Sequence, residues 1–109
     1  MAGYPEKDKG YMHWINDLHL IATDAPSGFK IIDECLDIAE MLIKKNISYG
    51  NSALEPIRIF SKADSTEQIR VRIDDKLNRI QNDQAFPGDN DIDDLIGYLI
   101  LLKIANKSN

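Results

Sequence analysis

Three groups of residues carry whatever chemistry this chain performs. The first is the stretch Lys44-Lys45-Asn46-Ile47-Ser48-Tyr49-Gly50-Asn51-Ser52-Ala53-Leu54. It sets two lysines, a tyrosine, a glycine and small amides side by side, a mixture that a hydrophobic core does not need. Lysine and asparagine can hold a phosphate, Tyr49 can stack a base or ribose, and Gly50 lets the backbone turn or approach a ligand closely. The other reading of Gly50 is an ordinary helix stop with Tyr49 folded onto the core. The second group is Arg72, Lys76 and Arg79, which fall in one narrow arc when the segment is projected as a helix. Such a ridge grips phosphates, with arginine giving forked contacts and lysine a point charge, or else pairs with nearby acids on a solvated face. The third group is acidic. Asp91 and Asp94, at i and i+3, share a stripe with Tyr98 and Leu101, where a carboxylate is costly unless paired or metal-bound. With Glu34 and Asp37 from a neighbouring helix they would supply four oxygen ligands for Mg2+ and a phosphate chain. Otherwise the acids simply complement the positive end of a helix dipole, which accounts for Asp91 and Asp93 better than for Asp94.

These residues must be positioned by helices, because the apolar residues recur at spacings of three and four. Tyr11, Trp14, Ile15, Leu18 and Ala22 predict a helix over 10–22, entered after a flexible lead over 1–9. Ile31, Cys35, Ile38, Ala39 and Leu42 predict a second over 28–46, capped by Ser27, with Cys35 as a small buried hydrophobe. Residues 47–63 read as a loop pinned to the core by Ile57, Ile59 and Phe60. Asp64 and Glu67 have capping-box spacing ahead of a helix over 64–82 with Ile69, Ile73, Leu77 and Ile80 inward. Pro87-Gly88 breaks the chain before a last helix over 90–106. That helix is apolar nearly all round, so it is expected to be buried on all sides and to pack against another subunit, giving a dimer or a multiple of one. The fold class is all-α, about four helices in one domain over 10–106, with no strand pattern.

Composition narrows the function classes. The chain has 109 residues, 43% hydrophobic and 28% charged, which suits one globular domain. A net charge of −5 argues against coating duplex nucleic acid, which needs Lys and Arg to neutralise phosphates. The one cysteine excludes an intrachain disulfide. No apolar run approaches the ~20 residues of a membrane span, and the polar start predicts a cytoplasmic protein. His13 and His19, six apart, do not face one way, and neither zinc spacing, a Walker loop nor a G-x-S-x-G serine is present.

In order, the Lys45-Asn46-Ile47-Ser48-Tyr49-Gly50 element, the basic run Ile69 to Ile80 and the acidic-to-apolar run Asp91 to Ile100 resemble the small phage and bacterial nucleotide modification associated domain proteins, over about residues 30–105. The resemblance implies a nucleotide-related role, in the host cytoplasm if the protein is phage-encoded. More distantly, the last helix is similar to that of the MazG-like and all-α dUTPase-like pyrophosphohydrolases. In that superfamily paired acids on two helices hold Mg2+ within a helical oligomer. Asp91 and Asp94 match its second acidic pair, with Asp91 standing where Glu is usual, and Glu34 and Asp37 match the first loosely. The segment between the pairs is longer than in that superfamily. The resulting expectation is a nucleotide-binding protein whose ligand contacts are Lys45, Asn46, Tyr49, Gly50, Arg72, Lys76 and Arg79, and which binds or sequesters a nucleotide or nucleotide-derived immune signal. The alternatives are a Mg2+-dependent nucleoside triphosphate pyrophosphohydrolase using Glu34, Asp37, Asp91 and Asp94, and an acidic inhibitor of a host protein.

Overall fold

The computed structural model describes residues 11–82 and 90–107, with side chains from residue 13 onward. The lead over 1–9 and the Pro87-Gly88 breaker lie outside the described residues. Within them the protein is all-α: α1 is Tyr11–Ala22, α2 Gly28–Tyr49, α3 Ser65–Gln81 and α4 Asp91–Lys107. None of these helices is long and apolar enough to cross a membrane. The chain divides within α2 into two compact units, Met1–Asp37 and Ile38–Asn109.

In the first unit, the turn after α1 is closed by backbone bonds, among them Asp24 N–H to Ile21 O at 3.1 Å and Gly28 N–H to Ala25 O at 3.1 Å. Gly28 is placed there by space: a Cβ on it would lie 2.7 Å from the Cα of Ala22. His19 meets Phe29 edge-on, ring centroids 5.0 Å apart, and His13 lies 3.7 Å from Asp17. Ala22 is buried, and Trp14, Ile15 and Leu18 are better covered than Leu20 and Ile21, so the expected face of α1 is the inward one. Cys35, expected inside, is exposed. Its stripe on α2 is covered at Ile38 but not at Ile31, and the thiol lies between the two.

The second unit holds the rest of α2 with α3 and α4. The α2 helix runs three residues past its expected end because its stop is Gly50, with φ +61. The Asn51 N–H reaches back to the Asn46 carbonyl at 3.2 Å, the bond that closes a Schellman end. Asn51 itself has φ 65, a left-handed conformation that asparagine tolerates better than most residues. As predicted, Asp64 caps α3, its carboxylate accepting the Glu67 N–H at 2.9 Å. The Glu67 carboxylate does not complete the box but pairs with Arg70 at 2.7 Å. Asn90 caps α4 through the Asp93 N–H at 3.1 Å.

α3 packs on α4, and α4 meets α2 at Gly97, where a Cβ would stand 2.9 Å from a Leu42 methyl. Among the described residues of this unit the buried hydrophobic ones are Ile38, Ile69 and Ala105. Two expectations are corrected. Ile57, Ile59 and Phe60 do not pin the loop: Phe60 is 98% exposed, and Ala53, Leu54 and Pro56 are among the partly covered residues instead. On α3, Leu77 and Ile80 turn outward while Lys76 takes an inward place, 8% exposed. Within one chain α4 leaves Ile92, Ile96, Leu99 and Ile100 exposed on the face away from Gly97 and Ala105, so the all-round cover expected for it is not supplied by its own chain.

Candidate functional site

A cleft of about 410 Å³ opens in the second unit, within the size range of small-molecule sites. The end of α2 supplies Lys45, Asn46 and Tyr49, and the turn beyond it supplies Asn51 and Ser52. Gln68 and Arg72 come from α3, Asp94 and Tyr98 from α4, and Met41, Leu42, Ile69 and Leu101 form an apolar floor. Local structure explains each placement. Lys45 and Tyr49 are one turn apart on α2, as are Gln68 and Arg72 on α3, and Asp94 and Tyr98 on α4, so each helix presents an i, i+4 pair to the same space. Because α2 continues to Tyr49, the tyrosine stands on a helix rather than a loop. Asn46 donates to the Asn51 side chain at 2.8 Å, which ties the turn to the helix it follows.

Asp94 is the electrostatic centre. One of its oxygens accepts from Lys45 at 3.0 Å and the other from Lys76 at 3.0 Å. Lys76 also reaches Asp91 at 3.3 Å. The side chains of Lys76, Asp91 and Asp94 are 10%, 11% and 14% exposed, so this chain of charges is largely removed from water. Among the described residues no buried side-chain nitrogen or oxygen lacks a partner. Burial by itself would lower the Lys76 pKa, but hydrogen bonds to Asp94 and Asp91 and the Asp94 charge outweigh it and raise the ammonium above its ordinary value. Burial likewise pushes the Asp94 carboxyl up, and the Lys76 and Lys45 hydrogen bonds overcome this and hold it below the usual carboxylate range. Both groups are therefore charged at neutral pH.

The expected ligand residues are thus divided. Lys45, Asn46, Tyr49 and Arg72 line one cleft, and Gly50 adjoins it between Tyr49 and Asn51. Lys76 is not on an open ridge: it stands behind the wall, held by two carboxylates. Arg79 does not line the cleft and pairs with Asp75 at 3.4 Å. Arg72 has no ion-pair partner among the described residues. Of the expected metal ligands, Glu34 and Asp37 are exposed residues of the first unit, while Asp91 and Asp94 belong to the second. A divalent cation at Asp91 and Asp94 would have to displace the Lys76 ammonium. Among the described residues no group of three or more His, Cys, Asp or Glu converges as a metal site. On α2, Glu40 pairs with Lys44 one turn on, at 2.7 Å, on the exposed surface.

Tyr98, Gln68, Asn51 and Ser52 were not singled out as ligand residues from the sequence. Spacing held the signal for two of them, since Gln68 precedes Arg72 by one turn and Tyr98 follows Asp94 by one turn. The chain matches no protein-family model, no curated protein and no solved structure.

Proposed function

We propose that the protein binds a nucleotide or a nucleotide-derived signal in this cleft and releases it unchanged, so that it acts by sequestering. The observation that carries the reading is the convergence of Lys45 and Arg72 with Tyr49 and Tyr98 on one space of nucleotide size. Cations hold phosphate, aromatic rings offer a planar apolar surface to a base, and amides offer both donors and acceptors to its edge. Asn46, Asn51 and Gln68 are such amides.

The test is a thermal-shift panel of linear nucleotides, cyclic nucleotides and cyclic ADP-ribose isomers, with and without magnesium, followed by chromatography of the ligand. A ligand that raises Tm and returns intact supports sequestering. One returned as the monophosphate and pyrophosphate would make the protein a pyrophosphohydrolase. No shift with any member of the panel sinks the nucleotide reading and leaves the acidic inhibitor of a host protein as the reading to test.

The protein is also proposed to assemble through α4. Ile92, Ile96 and Leu99 follow spacings of four and three on its uncovered face, with Lys103 continuing the row, as in a helix-pairing seam. Asp93 stands at the start of the same helix, apart from the paired and largely buried Asp91 and Asp94, and Lys103 and Lys107 lie toward its end, so a second copy laid antiparallel brings opposite charges together. Sedimentation should give a dimer or a multiple of one, and Ile96→Glu should shift it toward monomer. A wild-type chain that stays monomeric at high concentration refutes the seam.

A further inference from the structure

Resting on the nucleotide reading, we infer that the cleft selects a ligand with a single negative charge, a phosphodiester such as a cyclic nucleotide, taken up without a divalent cation, and that it discriminates against polyphosphates. Charge balance at the wall of the cleft sets this preference. Lys45 and Lys76 are paired with Asp94 and Asp91, Arg79 is paired with Asp75, and Arg72 lines the cleft with Asp94, so four cations stand with three carboxylates and one positive charge is left over. That charge resides on Arg72, because Lys45 and Lys76 are each held on a carboxylate and Arg72 has no ion-pair partner among the described residues.

Asp94 then sets the limit. Its carboxylate lines the same space as Arg72, so any ligand charge beyond the one that Arg72 meets is placed near a like charge. Like charges repel far more strongly in a partly desolvated cleft than in water. A diester brings one charge, a terminal phosphate close to two at neutral pH, and a triphosphate about four. Magnesium is the usual relief for such a ligand, since it bridges protein carboxylates and phosphate oxygens. Here the gap between Asp91 and Asp94 holds the Lys76 ammonium, at 3.3 and 3.0 Å, with Lys76 only 8% exposed. The lysine is an internal cation. It neutralises the acids without offering a coordination position to a phosphate chain, which a bridging metal ion would do.

The experiment is titration calorimetry with the 3′,5′-cyclic monophosphates, 5′-monophosphates and 5′-triphosphates of the four common bases, in EDTA and again in magnesium. In the best-binding base series the cyclic monophosphate should bind at least about tenfold tighter than the triphosphate in EDTA, roughly the factor that one unfavourable charge contact imposes. Magnesium should not reverse the order. Asp94→Asn adds one net positive charge and should narrow the gap at least about threefold, with circular dichroism checking the fold. Arg72→Gln, at an exposed position, should weaken every phosphate ligand by about tenfold or more. A triphosphate that binds tightest, or binding that requires magnesium, overturns this inference and leaves the nucleotide reading standing. Binding by no member of any series also overturns this inference, and the nucleotide reading then falls only if the cyclic ADP-ribose isomers of the thermal-shift panel fail as well.

Discussion

Lys76→Met is the sharpest test of how this fold holds its charges. Methionine matches the lysine stem in length and keeps its packing, so the change isolates the ammonium. Without it, Asp91 and Asp94 face each other with side chains 11% and 14% exposed. Removing one member of a buried ion pair costs about 3–5 kcal/mol, because the partner is left charged and desolvated. Lys45 remains on Asp94 at 3.0 Å but is itself 48% exposed and solvent-screened, so it offsets only part of that cost. The expected loss is about 2–3 kcal/mol, read as a fall in Tm of about 10 °C or more for a domain of this size.

The pH dependence separates this mechanism from a packing defect. In the wild type Asp94 sits below its unfolded pKa of about 4, so its contribution is full above that value and is lost as pH falls through the lower folded one. Lys76 sits above its unfolded pKa of about 10.4, so its contribution is full below that value and fades only as pH rises through the higher folded one. In Lys76→Met the two carboxylates repel, and protonating one relieves the strain. The gap between variant and wild type, measured by urea unfolding, should therefore narrow from pH 7 to pH 4. A variant within about 0.5 kcal/mol of wild type at pH 7, the ordinary scatter of surface changes, would refute the reasoning. So would a gap that stays constant with pH.

Asp64→Ala should cost about 1 kcal/mol in urea unfolding, because the Glu67 N–H loses its acceptor and the Glu67 carboxylate is engaged with Arg70. The two buried glycines should respond differently in thermal melts. Gly28→Ala drives a methyl into the backbone of Ala22 and should lose about 1–3 kcal/mol. Gly97→Ala meets only the flexible ends of Leu42 and Met41, at 2.9 and 3.3 Å, and gains about 1 kcal/mol in helix propensity, so it should stay near neutral. Cys35 is exposed and should react with a disulfide reagent in the native protein at nearly the rate of the unfolded chain.

Helix existence was legible in the sequence because apolar spacing and capping residues act locally: Asp64 before α3 and Gly50 after α2 do the same work in a peptide as in the fold. The residue types of the cleft were legible too, since Lys45, Asn46, Tyr49 and Arg72 stood out by chemistry alone. Helical projection also marked Asp94 as a carboxylate in need of a partner. It did not decide which partner. Projection gave Lys76 and Arg79 similar directions beside the apolar stripe, and only the packing of α3 on α4 puts the Lys76 ammonium between Asp91 and Asp94 while Arg79 pairs along its own helix with Asp75. The same packing left Ile92, Ile96 and Leu99 uncovered, and periodicity, which marked α4 as apolar nearly all round, did not say which face its own chain would leave open. The physical reason is common to both. Spacing along a chain fixes which side chains share a face, whereas burial and pairing depend on what stands opposite, and that is set by contacts between residues far apart in sequence.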